Sequence, residues 1–166
     1  MTIDGKKSTF VDYLKELKVK KDRRAMAELR RGLSYGPGQY FGSYRYIESA
    51  EARGDDESDW GSRMRALIGG LFALHGDNGF KNSNEESLGR ILGLLYNEKD
   101  KSLSIEKRFL TLLDSDEEQL PYRLRQVISL IKEYNIDWHK LYRDVRNWNH
   151  PDCFVQRGWA RDFYRV

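Results

Sequence analysis

Residues 87–95 read SLGRILGLL, and this stretch carries the two signals from which the fold can be worked out. At about 100° per residue, Leu88, Ile91, Leu92 and Leu95 share one stripe, and Arg90 points nearly opposite. A helix with one apolar face has to bury it against another element. The second signal is the pair Gly89 and Gly93 on either side of Arg90. Each costs roughly 1 kcal/mol relative to alanine within a helix, so bare backbone here serves close approach. A phosphate chain or a neighbouring helix would fit equally well, and helical geometry leaves the two open.

The same helical period recurs along the chain, while β-type alternation is almost absent. A first short helix is expected to begin near Ser8, with Phe10, Tyr13, Leu14 and Leu17 on one face. A second follows an Asp22 cap, with Met26, Leu29 and Leu33 inward. Residues 33–47, LSYGPGQYFGSYRYI, break the helix with glycine and proline yet leave several tyrosines and Phe41 to be packed, which reads as an ordered loop. The acidic run Asp55, Asp56, Glu57 and Asp59 is expected to be exposed. It leads into a long helix carrying Trp60, Met64, Leu67, Ile68, Leu71 and Leu74, with Ala66, Gly69, Gly70 and Ala73 forming a small-residue back for close helix packing.

Residues 76–86, GDNGFKNSNEE, form the best lobe boundary. Beyond them, helices are expected at 87–96, 103–114, 119–134, 137–148 and 152–165, with Asp137 and Asp152 as caps and Pro151 as a break. The class is all-α. The expected architecture is a single helical domain over 1–166, a compact bundle of about seven to nine helices divisible into two small lobes.

The bulk numbers narrow the function. The 166 residues suffice for one substantial core without staples, and the single cysteine, Cys153, cannot form an internal disulfide. The first thirty residues contain no signal-peptide core and no window approaches eighteen uninterrupted apolar residues, so a cytoplasmic protein without membrane contact is expected. Residues 1–47 carry 11 basic against 5 acidic side chains, residues 48–118 carry 9 against 16, and residues 119–166 carry 9 against 5. Basic ends around an acidic middle suit a chain that touches a polyanion with part of its surface. Arginine supplies 17 of the 29 cations, and its paired donors favour phosphate or carboxylate recognition over mere solubility.

The cations fall on outward helical faces. Arg24 and Arg31 share one face of the second helix, flanked by Arg23 and Arg30. Arg125, Ser129 and Lys132 line the face opposite Leu120, Leu124, Val127, Ile128 and Ile131. His139, Lys140, Arg143, Arg146 and Asn147 lie opposite Trp138, Leu141, Tyr142 and Val145. Arg157, Arg161 and Arg165 form one edge of the last helix, beside Val155, Trp159 and Phe163. Such stripes neutralise phosphates with little regard to sequence. Tyrosine and tryptophan could stack unpaired bases, although Trp60, Trp138, Trp148 and Trp159 sit on apolar stripes and are expected in the core.

Catalysis has no positive support. His75 ends an apolar helix, where capping is expected, His139 lies on a basic face and His150 precedes a proline. The string HPDC, residues 150–153, places His150 near Cys153, but no third ligand or oxyanion motif accompanies them. The motifs HExxH, GxxxxGK[ST] and GxGxxG are absent. No cofactor, metal site or catalytic residue is expected.

An ordered set of motifs points further. SLGR is followed by IEKRF (105–109), LRQVISLI (124–131), IDWHKLYRDVRNW (136–148) and WARDFY (159–164), with ELRRGL (28–33) ahead of them. In order and spacing this resembles the CasB family, the small subunits of the type I-E CRISPR Cascade effector complex. The likeness runs from about residue 28 to the C-terminus and is loose over 34–86.

The resemblance implies an all-helical, non-catalytic subunit present as two copies along the belly of a crRNA-guided complex. It would contact the backbone subunits (CasC), the large subunit (CasA) and a second copy of itself. Its basic surface would hold crRNA and the target and non-target DNA strands of the R-loop. Arg30, Arg31, Arg90, Lys107, Arg108 and Arg125 fall on the family's recurrent basic positions, while Lys107 and Gln126 stand where arginine is expected. With the outward stripes, the candidate nucleic-acid residues are Arg24, Arg30, Arg31, Arg90, Lys107, Arg108, Arg125, Lys132, Arg143, Arg146, Arg157 and Arg161. The alternative from another class is a protein-interaction adaptor whose arginine faces dock acidic partners without touching nucleic acid.

Overall fold

The computed structural model describes residues 2–3, 6–7, 9–76 and 79–166. The fold is all-α, and the chain divides into two compact units, Met1–Leu74 and His75–Val166. Among the described residues the β structure amounts to a two-residue ladder, Thr2–Ile3 with Lys6–Lys7, and a bridge between Glu86 and Ile136.

In the first unit, helix α1 (Phe10–Val19) starts at a capping box in which the Thr9 hydroxyl accepts from the Asp12 N–H and the Asp12 carboxylate accepts from the Thr9 N–H, each at 3.1 Å. Ser8, the expected start, lies outside the described residues. Helix α2 (Arg23–Arg31) is capped by Asp22 as expected, the carboxylate accepting from Ala25 N–H at 3.0 Å. Its buried stripe is Ala25 and Leu29; Met26 and Leu33 are only half-buried.

Residues 33–47 hold more regular structure than the expected loop: 3-10 turns at Gly32–Ser34 and Phe41–Ser43, then helix α3 (Tyr44–Ile47). Helix α4 (Ala50–Arg53) follows, with the Ser49 hydroxyl accepting from Ala52 N–H at 3.2 Å. The long helix α5 (Asp59–His75) presents its small-residue back to α2: a Cβ on Gly70 would fall 2.7 Å from Leu33 and 3.0 Å from the Leu29 carbonyl. Trp60 departs from expectation, since it is half-buried beneath the Arg63 guanidinium, 5.0 Å from the ring centre.

One feature of α5 had no signal in the apolar pattern. Arg65 is 0% exposed. Its Nε donates to the Ile47 carbonyl at 2.6 Å, Nη2 reaches Glu48 at 3.1 Å, and Nη1 stands 3.6 Å from Asp56. Asp56, expected to be exposed with the rest of the acidic run, therefore turns inward, because a buried guanidinium requires a compensating charge.

The second unit contains α6 (Leu88–Glu98), α7 (Leu103–Leu113), α8 (Leu120–Leu130), α9 (Trp138–Arg146) and α10 (Phe154–Tyr164). Aromatic contacts run through its largely aliphatic core: Phe109 stacks on Phe163 at 4.2 Å and Trp148 meets Trp159 at 5.2 Å. Trp138, Trp148 and Trp159 are buried as expected. The buried His75 ring lies against Phe80 and Trp138, 5.4 and 5.6 Å between centroids.

Two expected boundaries move. Helix α8 stops at Leu130 rather than 134, because the chain beyond must pair with the segment before α6: Glu86 N–H donates to the Asn135 carbonyl at 3.1 Å, and Asp137 N–H to the Glu86 carbonyl at 2.9 Å. Asn82 adds a side-chain clasp, its amide donating to the Asn135 carbonyl at 3.0 Å and accepting from Asn135 N–H at 2.7 Å. At the other end, α10 is entered through Cys153 in the left-handed region (φ 50°), so the cap is Cys153 and not Asp152. Asp137 does cap α9, accepting from Lys140 N–H at 3.0 Å. The two short helices α3 and α4 bring the total among the described residues to ten. None of these helices is long and apolar enough to cross a membrane.

Candidate nucleic-acid interface

All twelve candidate basic residues are solvent-exposed, eleven of them on helices that bury an apolar stripe and Lys132 in the turn after α8. Arg24, Arg30 and Arg31 lie in the first unit, outside the Ala25 and Leu29 stripe of α2. Arg31 is oriented there. Its Nη1 donates to the Tyr40 hydroxyl at 3.3 Å and lies 3.4 Å from Glu28, while the Tyr40 hydroxyl donates to Glu28 at 2.6 Å. The Tyr40 hydroxyl, and then Glu28, push the Arg31 pKa further up, so the cation is permanent.

The other nine belong to the second unit. On α6 the Arg90 side chain is half-exposed and its Nε lies 3.2 Å from Glu86, one turn back. The glycines beside it are not open ground. A Cβ on Gly89 would fall 2.6 Å from the Trp159 carbonyl oxygen, and one on Gly93 would collide with the Phe163 carbonyl. The Ser87 cap of α6 also donates to Asp162 at 3.2 Å. Of the two occupants that the sequence left open, helix α10 takes the bare backbone, and Arg90 projects beside that contact.

Lys107 and Arg108 are exposed on α7, which buries Phe109 and Leu112; Arg108 lies one turn before Leu112, at the edge of that stripe. Arg125 is exposed on α8, and Lys132 sits in the turn beyond its end. The arginine of α8 that does point inward is Arg123, whose Nη1 donates to the Thr111 carbonyl at 2.9 Å and so ties α7 to α8. Arg143 and Arg146 are exposed on α9, the latter with its guanidinium 5.3 Å from the Tyr142 ring centre. Arg157 and Arg161 share the outer edge of α10, with Arg165 just beyond it.

The expected basic face of α9 is interrupted. His139 and Lys140 are half-buried, and Lys140 Nζ lies 2.6 Å from Asp144, a buried carboxylate that also accepts from Trp159 Nε1 at 2.7 Å. Helical spacing placed Lys140 outward but carried no sign that Asp144 would be used to lock α9 to α10. A second group missed from the sequence comprises the exposed rings of Tyr35 and Phe41, in a segment that also carries the exposed Arg45. Its only sequence signal was a surplus of rings in a glycine-rich segment.

The HPDC string forms a turn. His150 Nδ1 accepts from the Asp152 N–H at 3.2 Å, while the exposed Cys153 thiol faces the Pro151 carbonyl at 3.9 Å. Among the described residues, no group of three or more His, Cys, Asp or Glu side chains is arranged to hold a metal.

Comparison with known proteins shows the family. The family description "CRISPR-associated protein Cse2" matches residues 25–164. A CRISPR-associated protein Cse2 from Thermus thermophilus is 36% identical over 160 residues, covering 93% of this chain and 88% of that protein. The crystal structure of CasB from Thermus thermophilus superposes with a TM-score of 0.80 at 35% identity, covering 95% of this chain and 96% of the other. A chain of a CRISPR RNA-guided surveillance complex shares the fold, with a TM-score of 0.74 at 21% identity, covering 94% of this chain and 90% of the other. With arginine-edged helices, the same fold and a family match over most of its length, this chain belongs to the Cse2 (CasB) family of CRISPR-associated proteins.

Proposed function

We propose that the protein is a non-catalytic structural subunit of a crRNA-guided Cascade surveillance complex that uses its exposed arginine faces to hold nucleic-acid strands of the R-loop. The observation that carries this reading is the exposure of all twelve candidate cations. The fold shared with a chain of an RNA-guided surveillance complex supports membership of such an assembly. Within it, the backbone (CasC) and large (CasA) subunits and a second copy of this chain would be the protein partners, and crRNA, target and non-target DNA the nucleic acids.

The energetics suit modest contacts. Replacing a DNA duplex by an RNA–DNA hybrid is a nearly balanced exchange, so a few backbone contacts decide which side wins. Such contacts position strands without reading sequence. The test is reconstitution of the complex with and without this chain, measuring R-loop affinity as a function of salt. The chain should raise affinity and steepen the salt dependence, by roughly one unit of log–log slope per phosphate contacted. Unchanged affinity and slope on omission would end the proposal.

A further inference from the structure

We propose that the aromatic segment from Tyr35 to Tyr44 is a stacking platform for unpaired bases of single-stranded DNA. This deepens the nucleic-acid reading given above and rests on it, but the contact is of a different kind: ring on base rather than guanidinium on phosphate.

Phe41 is 79% exposed and Tyr35 51% exposed, although both belong to a well-defined segment rather than a chain end. Each ring is held by a neighbour. Tyr35 stacks on Tyr40 at 4.9 Å with 23° between planes, and Phe41 meets the edge of Tyr44 at 5.6 Å and 70°. The supporting rings are themselves fixed, because the Tyr44 hydroxyl donates to the Gly38 carbonyl at 2.6 Å and the Tyr40 hydroxyl donates to Glu28 at 2.6 Å. Gly42 makes room for this: a Cβ there would lie 2.6 Å from the Tyr40 phenol. The segment thus spends hydrogen bonds and a glycine on presenting apolar rings to water, which packing alone would not require.

Charge names the occupant. Arg31 bonds the Tyr40 hydroxyl, Arg30 is exposed next to it, and Arg45 is exposed beside Tyr44. Rings flanked by cations match a polyanion with flat apolar groups, which is the description of a single nucleic-acid strand; in a duplex the base faces are already occupied. We take DNA as the occupant, because the two supporting hydroxyls already donate to Glu28 and Gly38 and neither is a free donor to a ribose 2′-hydroxyl.

The experiment compares the full chain with its Phe41→Ala and Tyr35→Ala variants in fluorescence-anisotropy titrations. The probes are an oligothymidylate, an abasic oligodeoxynucleotide and an oligouridylate of equal length. Each substitution should weaken oligothymidylate binding by about tenfold, leave abasic binding unchanged and leave the salt slope intact, since stacking and phosphate neutralisation are separate. Phe41→Tyr should retain affinity. The platform is refuted if the alanine variants bind oligothymidylate like the parent, if they weaken abasic binding equally, or if they impair only assembly with protein subunits. Clearly tighter binding of oligouridylate that is lost in the same variants would overturn the assignment to DNA. A parent chain that binds none of the probes even at low salt would refute the platform together with the function it rests on; binding by the parent that both variants keep would sink the platform alone.

Discussion

At Arg90 and its two glycines, the residue types that looked anomalous in sequence have separate explanations. The glycines serve contact with α10, and the arginine occupies the solvent side with Glu86 as its neighbour. Gly89→Ala should therefore destabilise the protein by about 1–3 kcal/mol, since the carbonyl that its Cβ would meet is backbone and cannot swing aside. Arg90→Ala should cost less than about 1 kcal/mol, as removal of an exposed i,i+4 pair does. Thermal unfolding of the two variants, followed by circular dichroism, should separate them by several degrees, while Arg90→Ala weakens nucleic-acid contact. Arg65 behaves in the opposite way: Arg65→Met should cost about 3 kcal/mol, because it strands Asp56 and Glu48 beside the site of the lost cation, and denaturant titration would measure the loss. The sequence allowed Arg90 to be placed outside the core because a 3.6-residue period fixes direction. It was silent on Arg65, whose reason for being buried lies in residues 47, 48 and 56, brought together only by the tertiary fold.

Among elements, helix existence, facing and the Asp22 and Asp137 caps were legible, and where α8 stops and α10 starts was not. Direction follows from a run of apolar residues, whereas an end depends on what the chain must do next. Helix α8 illustrates this: Ile131 and Tyr134 are buried and continue its apolar pattern, yet the chain leaves the helix to clasp residues 81–86. That clasp carries an ionic group. Glu98 accepts from the Tyr134 hydroxyl at 2.8 Å and sits 3.2 Å from Lys81, which also reaches Glu133 at 3.1 Å. The Tyr134 hydroxyl first, and Lys81 next, hold the Glu98 carboxyl below its ordinary value of 4.5. A folded-state value below the unfolded one means that the contribution of Glu98 is complete above pH 4.5 and is lost as the pH falls through the lower folded value. Glu133 and Glu98 raise the Lys81 pKa, so its share is complete below pH 10.5 and is lost only above that. Tyr134→Phe should move the Glu98 carboxyl resonance titration upward towards 4.5, and NMR detection of that carboxyl would register the change directly.

For the whole molecule, the uneven charge along the chain is legible without any knowledge of folding, with basic ends around an acidic middle. What it could not supply was the sorting of individual arginines. Arg65 and Arg123 tie elements together from inside the fold, whereas the twelve candidate cations are exposed. Replacing Arg125, Arg143 and Arg161 together by alanine should leave stability within about 1 kcal/mol of the parent. It should flatten the salt dependence of R-loop binding by up to about three units of log–log slope, measured in the reconstituted complex. Replacing Arg123 should do the reverse, lowering stability and sparing the slope. The α6–α10 contact adds a consequence in time. These are the first and last helices of the second unit, so the glycine-lined side of α6 meets its α10 partner only after α10 has been synthesised. The first unit ends at Leu74 and can close while translation continues. A ribosome-bound chain stalled before α10 should thus carry one protease-resistant half and one that waits for its own last turn of helix.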